Sequence, residues 1–177
     1  FHEGYIIAWR SLTSATNRRT MLATLLPLIP TCQSIQILQL DNIDDMLQIL
    51  VLFNSIIFDY IVRLKMAGLD LTQTIIKQIP VPKKEIYESV IVFQDKEDTI
   101  RNHVYARIKY LYAKDKRVSA LFENNDICDS TKKSRKQIIS ELDCLVGAMY
   151  GLSTEQIKEI ASTFDKYYTK KEVEQWF

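Results

Sequence analysis

The chain has 177 residues, 47% of them hydrophobic and 25% charged, and a formal net charge of +1. This is enough apolar content for one ordinary domain, or for a domain with a helical appendage, and four Gly and four Pro exclude a collagenous or low-complexity chain. The near-zero charge argues against autonomous tight binding to nucleic acid, which draws most of its affinity from phosphate contacts.

The first forty residues read as extended. Residues 5–10 are rich in β-formers, residues 20–26 form an apolar run ending at Pro27, and residues 34–40 alternate polar and apolar, as a strand with one buried face does. Pro27 and Pro30 suit an edge or a bend. A polar loop, residues 13–19, separates the first two runs. Apolar residues at helical spacing then predict one long helix over 42–67, capped by Asp41 or Asn42 and stopped near Gly68. A short apolar piece at 74–79 ends at Pro80-Val-Pro82, where two prolines stop regular structure. Beyond it the sequence reads as helical and charged. It predicts helices over 95–113, 134–150 with Gly151 at the C′ position, and 154–164, then a last short helix after Thr169. Ser153-Thr-Glu-Gln156 and Thr169-Lys-Lys-Glu172 are capping-box signals, and residues 124–133 read as a polar loop.

These elements predict an α+β fold in two parts. Residues 1–82 form a small β-rich unit carrying the long helix, and residues 83–177 form a mostly helical C-terminal scaffold. Cys32, Cys128 and Cys144 are too widely spaced for a zinc pattern and too few for a disulfide framework, which suits a reducing, cytoplasmic setting. The most apolar stretch, residues 46–61, is interrupted by Gln48, Asn54 and Asp59, so no membrane span is expected. The chain begins on Phe1 without a leader pattern and reads as a piece of a longer protein.

Several catalytic patterns are missing from the sequence. Four scattered glycines build no phosphate or dinucleotide loop. No Asp/Glu-x-Lys triplet is present to hold a metal and orient water in the usual nuclease manner. The Asn/Asp-Pro-Pro-Tyr/Phe tetrapeptide of amino-methyltransferases is missing, and His2 and His103 stand alone. No metal site is expected. The densest polar chemistry lies in Trp9-Arg-Ser-Leu-Thr-Ser-Ala-Thr-Asn-Arg-Arg-Thr20. Arg10, Arg18 and Arg19 offer bidentate forks for guanine or phosphate, Asn17 an amide match to adenine, and Thr13 a short hydroxyl donor. The same composition also fits a solvated hairpin loop whose arginines pair with acids. Lys77 and Lys83 flank the proline turn as phosphate contacts or as a solvated charge run. Tyr105, Tyr110 and Tyr112 fit helix packing better than base stacking.

Three stretches carry a resemblance. They are residues 9–20 with the following Leu-Leu-Pro27; Leu52-Phe-Asn-Ser-Ile-Ile-Phe-Asp-Tyr60 with Arg63-Leu-Lys65, Gly68 and Ile79-Pro-Val-Pro82; and Glu141-Leu-Asp-Cys-Leu-Val-Gly-Ala-Met-Tyr-Gly-Leu152. In this order they resemble the C-terminal target-recognition region of bacterial restriction-modification N6-adenine DNA methyltransferases, including type II enzymes fused to a nuclease. The family commonly carries Glu where this chain has Arg18. The resemblance implies a non-catalytic region that forms one wall of a DNA cleft, in which Arg10, Arg18 or Arg19 touches DNA or organises the loop that does. Its partners would be double-stranded DNA and the protein's own catalytic methyltransferase domain. No cofactor is implied for this piece, since S-adenosylmethionine belongs to that catalytic domain. The alternative is a helical scaffold or subunit-docking region without base contacts.

Overall fold

The computed structural model describes residues 4–122 and 133–177, so His2, Cys128 and most of the loop expected at 124–133 lie outside the described residues. The fold is α+β. Strands β1 (Tyr5–Arg10), β2 (Ala23–Pro27) and β3 (Ile35–Leu38) form an antiparallel sheet in the order β2-β1-β3. Ile7 stands opposite Leu25 and Leu38, and Trp9 opposite Ala23 and Gln36. This alternation puts Ile7, Trp9 and Leu25 on the inner face, in the core. The outer face carries Leu22 and Ile37, which remain 46% and 41% exposed. The alternation in β3 therefore does not yield a fully buried face, because β3 is an edge strand and its outer side is left partly open.

The long helix expected over 42–67 is two helices, α1 (Ile43–Asn54) and α2 (Ile56–Lys65), bent by 64°. The break is at Ser55, whose backbone is extended and whose hydroxyl accepts the Phe58 N–H to start α2. Asn42 caps α1 by accepting the N–H groups of Asp44 and Asp45. The last turn of α2 ends at Met66 in an extended conformation, and Gly68 lies beyond it without a left-handed backbone. No single described helix is long and apolar enough to cross a membrane; α1 and α2 pass that test only as a bent pair, and most of their apolar side chains form the core.

Short helices α3 (Gln73–Lys77) and α4 (Lys84–Tyr87) flank the proline turn. The helix expected from residue 95 starts later. A hairpin precedes it, with β4 (Val90–Phe93) paired to β5 (Lys96–Thr99) around Gln94 and Asp95, both at positive φ. Ile91 and Phe93 pack on the core, and Val90 and Val92 face outward. Thr99 then caps α5 (Ile100–Tyr112). After a 3-10 turn at Ser119–Phe122 come α6 (Arg135–Met149), α7 (Thr154–Ser162) and α8 (Lys170–Trp176). Reciprocal capping boxes start all three of these helices. Gly151, at φ 70°, closes α6 as the left-handed C′ residue.

The proline turn does not divide the core. One apolar cluster joins Trp9, Phe58 and Val62 from before the turn to Val104, Ile108 and Leu145 from after it. Trp9 meets Phe53 edge-on at 5.4 Å, fixing the sheet to α1. Tyr105, Tyr110 and Tyr112 serve packing: Tyr105 and Tyr110 donate to the carbonyls of Leu121 and Lys133, and the Tyr112 hydroxyl accepts the Leu25 N–H. These bonds lock α5 to its neighbours.

Candidate nucleic-acid interface

The polar loop between β1 and β2 is built around two adjacent arginines with opposite fates. Arg19 turns inward and is only 5% exposed. Its Nε donates to Asp59 at 2.7 Å, and its Nη2 donates to the Asn54 carbonyl at 2.7 Å. Asp59 lies on α2 with no exposed surface, and it also accepts the Thr20 N–H at 3.0 Å. An apolar helix face can carry a buried carboxylate only if such partners neutralise it. Arg18 turns outward, over the Tyr167 ring at 5.4 Å.

Two cations hold the loop backbone. Arg63 donates from Nη2 to the carbonyls of Asn17 and Arg18 and from Nε to the Thr20 hydroxyl, and it stands 3.4 Å from Asp59. Lys166 donates to the Thr16 carbonyl at 2.9 Å. With the Thr16, Asn17 and Arg18 carbonyls already engaged by cations, the loop offers fewer free carbonyl oxygens, an arrangement that suits an anionic partner.

The site residues expected from sequence therefore divide. Arg10, Asn17 and Arg18 are exposed, as are Lys77 and Lys83. Among the described residues Arg10, Arg18, Lys77 and Lys83 make no ion pair, whereas neighbouring Lys84 pairs with Asp45 at 2.6 Å. The Asn17 side chain makes one hydrogen bond among the described residues, from its amide nitrogen to the Thr13 hydroxyl. Thr13 and Arg19 of the expected set are buried, and Arg19 takes the loop-organising role rather than an exposed one. Thr13 is buried and donates to the Thr20 carbonyl, and Arg19 is consumed by Asp59 and Asn54. Both shape the loop from inside and have no surface to offer DNA. The other reading of the loop, with arginines paired to acids, thus holds for Arg19 and not for Arg18.

The buried arginine belongs to a larger knot. The Asn54 side chain clasps β2: its oxygen accepts the Ala23 N–H, and its nitrogen donates to the carbonyls of Ala23 and Leu50. Asp143 on α6 accepts the Ile56 N–H at 2.9 Å and the Tyr168 hydroxyl at 2.8 Å. Burial pushes the Asp143 carboxyl up to about 6, against the pull of Arg19 and of these hydrogen bonds. Burial also works against the Arg19 charge, but Asp59 and Asp143 outweigh it and raise the pKa above the ordinary value. Asp59, Asp143 and Tyr168 were not expected as site residues. The available signal was an acid set among apolar residues of a predicted helix, which demands a partner.

A second buried pair lies away from the loop. Arg107 on α5 donates to Glu141 on α6 at 2.8 Å and lies over Phe93 of the hairpin, while Lys133 bonds the other Glu141 oxygen. The groups hold one another in place and fix the hairpin to the helices. Among the described residues, no cluster of His, Cys, Asp and Glu could hold a metal ion.

Comparison of the chain with protein-family models, with curated proteins and with solved structures returned no match.

Proposed function

We propose that this chain is a DNA target-recognition region of a restriction-modification adenine-N6 methyltransferase, non-catalytic by itself, that works beside a separate catalytic domain. One observation carries the reading. The three sequence stretches that bear the resemblance are far apart in the chain, yet Arg19 of the first, Asn54 and Asp59 of the second and Asp143 of the third meet in one buried knot. Arg19, Asn54 and Asp59 hold the loop and the start of β2, and Asp143 ties the start of α2 to α6 beneath them. Arg18 and Asn17 stand on that loop, and Arg10 stands at the strand end leading into it.

Phosphate contacts would come from Arg10, Arg18, Lys77 and Lys83, and base contacts from exposed amides and hydroxyls. S-adenosylmethionine is assigned to the catalytic domain, because the described residues do not fit it. Gly147 is packed against Ile157 inside α6, Gly151 ends that helix, and no glycine-rich loop remains. No transfer step is derived from this chain.

A second reading, a scaffold that docks another protein domain, draws on the partly open outer face of the sheet, where Leu22 and Ile37 are exposed. Fluorescence anisotropy with a labelled duplex at low salt separates the two. The first reading expects saturable binding whose log-log salt slope falls by about 0.9 for each phosphate no longer neutralised, so Arg10→Ala with Arg18→Ala lowers it by about 2. An unchanged slope removes these two arginines from the interface. Failure of the wild-type chain to bind leaves the scaffold reading.

A further inference from the structure

A shallow, open groove of mixed polar and apolar lining lies beside the β3 edge, with Ser11, Leu12, Ser34, Gln36, Asp70 and Gln73 along it and a volume of about 700 Å³. Its floor is backbone. The Ser11 N–H donates to Ser34, the Leu71 N–H to Ser11, and the Thr13 N–H to Leu69, at 2.9, 2.7 and 2.9 Å. The walls, the start of β3 and the start of α3, are thereby fixed relative to each other. Across the opening the Gln73 amide nitrogen donates to the Gln36 amide oxygen at 3.1 Å. Neither amide has another hydrogen-bond partner among the described residues. The Gln36 nitrogen and the Gln73 oxygen have no partner among the described residues, so the linked pair still offers a donor and an acceptor.

We propose that this groove reads a base edge in duplex DNA, with the Gln36–Gln73 amide pair as its adenine-selecting element. The proposal rests on the DNA-recognition reading given above and names the residues that would supply its specificity. Adenine shows the major groove an acceptor, N7, beside a donor, the N6 amino group, and a Gln amide is the side chain that matches both. Asp70 makes the groove unsuited to phosphate but leaves it open to base edges, which carry amino donors. Leu12, 67% exposed and bridged to Asp70, offers apolar surface for the methyl group of the paired thymine. Lys77 lies one helical turn from Gln73, so a cation suited to phosphate stands beside the groove. The hydrogen bond between the amides reduces the rotamer freedom that binding would otherwise cost.

The test is selection from a randomised duplex pool by the 177-residue chain at low salt, followed by sequencing of the bound DNA. The wild-type chain is expected to enrich adenine at one position by about tenfold or more over the other bases. Gln73→Leu should flatten that position. Gln36→Glu keeps the acceptor for Gln73 but replaces the free donor with a carboxylate oxygen, so it should shift the preference from adenine to cytosine, whose N4 amino group donates. A structural role for the pair would not produce that exchange. If the wild type enriches a sequence and both variants enrich the same one, the groove is not the reader, although DNA recognition stands; a groove that holds a polypeptide gives this result. If the wild type enriches nothing, the recognition reading falls and the groove assignment with it.

Discussion

Replacing Arg19 with Met tests whether the loop is held from inside. The substitution keeps the length and apolar stem of the side chain and deletes its charge. It leaves the fully buried Asp59 carboxylate with the Thr20 N–H and with Arg63 at 3.4 Å, and it orphans the Asn54 carbonyl. Removing one partner of a buried ion pair costs about 3–5 kcal/mol. Arg63 remains near Asp59, which argues for the low end, about 3 kcal/mol. With a urea m-value on the order of 2 kcal/mol/M, the unfolding midpoint should fall by about 1.5 M. Arg19→Met combined with Asp59→Leu removes both charges and should recover part of that loss, giving a clear coupling energy in the double-mutant cycle. Urea unfolding followed by circular dichroism measures all four proteins. A shift of less than about 0.3 M for Arg19→Met, or a double variant whose loss equals the sum of the singles, would refute the inference that Arg19 is a structural anchor.

Two further substitutions probe the same region. Asp143 titrates near 6 in the folded chain against an ordinary 3.8, so the folded state holds this proton more tightly than the unfolded state. Its contribution to stability is therefore fully present below about pH 4, falls as pH rises through the window from about 4 to about 6, and is lost above it, a change of about 3 kcal/mol. In Asp143→Asn that pH-dependent term should disappear, which unfolding curves at pH 4, 5, 6 and 7 will show as a gap between the two proteins that varies with pH; a constant gap contradicts it. At Gly147, an added Cβ would lie 2.7 Å from Ile157 Cγ1. Gly147→Ala should thus destabilise by about 1–2 kcal/mol despite the better helix propensity of Ala, and Ile157→Val in the same chain should restore part of it, as read by thermal unfolding.

Local chemistry made much of the fold legible in the sequence. The run that forms β1 is dense in β-formers, the run that forms β2 is apolar up to Pro27, and the capping boxes at Ser153 and Thr169 need only residues three apart. The break at Ser55 was hidden because apolar residues continue across it at helical spacing, and the cause of the bend is partly tertiary: Asn54 clasps Ala23, 31 residues away. The hairpin was hidden because β5 is Lys96-Glu-Asp-Thr99, polar throughout and stabilised by pairing with Val90–Phe93 rather than by its own pattern. The candidate site shows the same limit. Arg18 and Arg19 are identical in type and adjacent in sequence, and what sends one outward and the other inward is Asp59, 40 residues on. Gln36 and Gln73 look ordinary apart, and only the backbone hydrogen bonds among Ser11, Ser34 and Leu71 bring their amides together.

Titration of the ¹⁵N-labelled chain with duplex DNA, followed residue by residue by NMR, tests the central claim most directly. Saturable shifts are expected at Arg10, Asn17 and Arg18, along the groove at residues 33–36 and 70–73, and at Lys77 and Lys83. The buried Arg19 and Asp59 should stay nearly still. Shifts confined to α6, α7 and α8, or none that saturate, would contradict it.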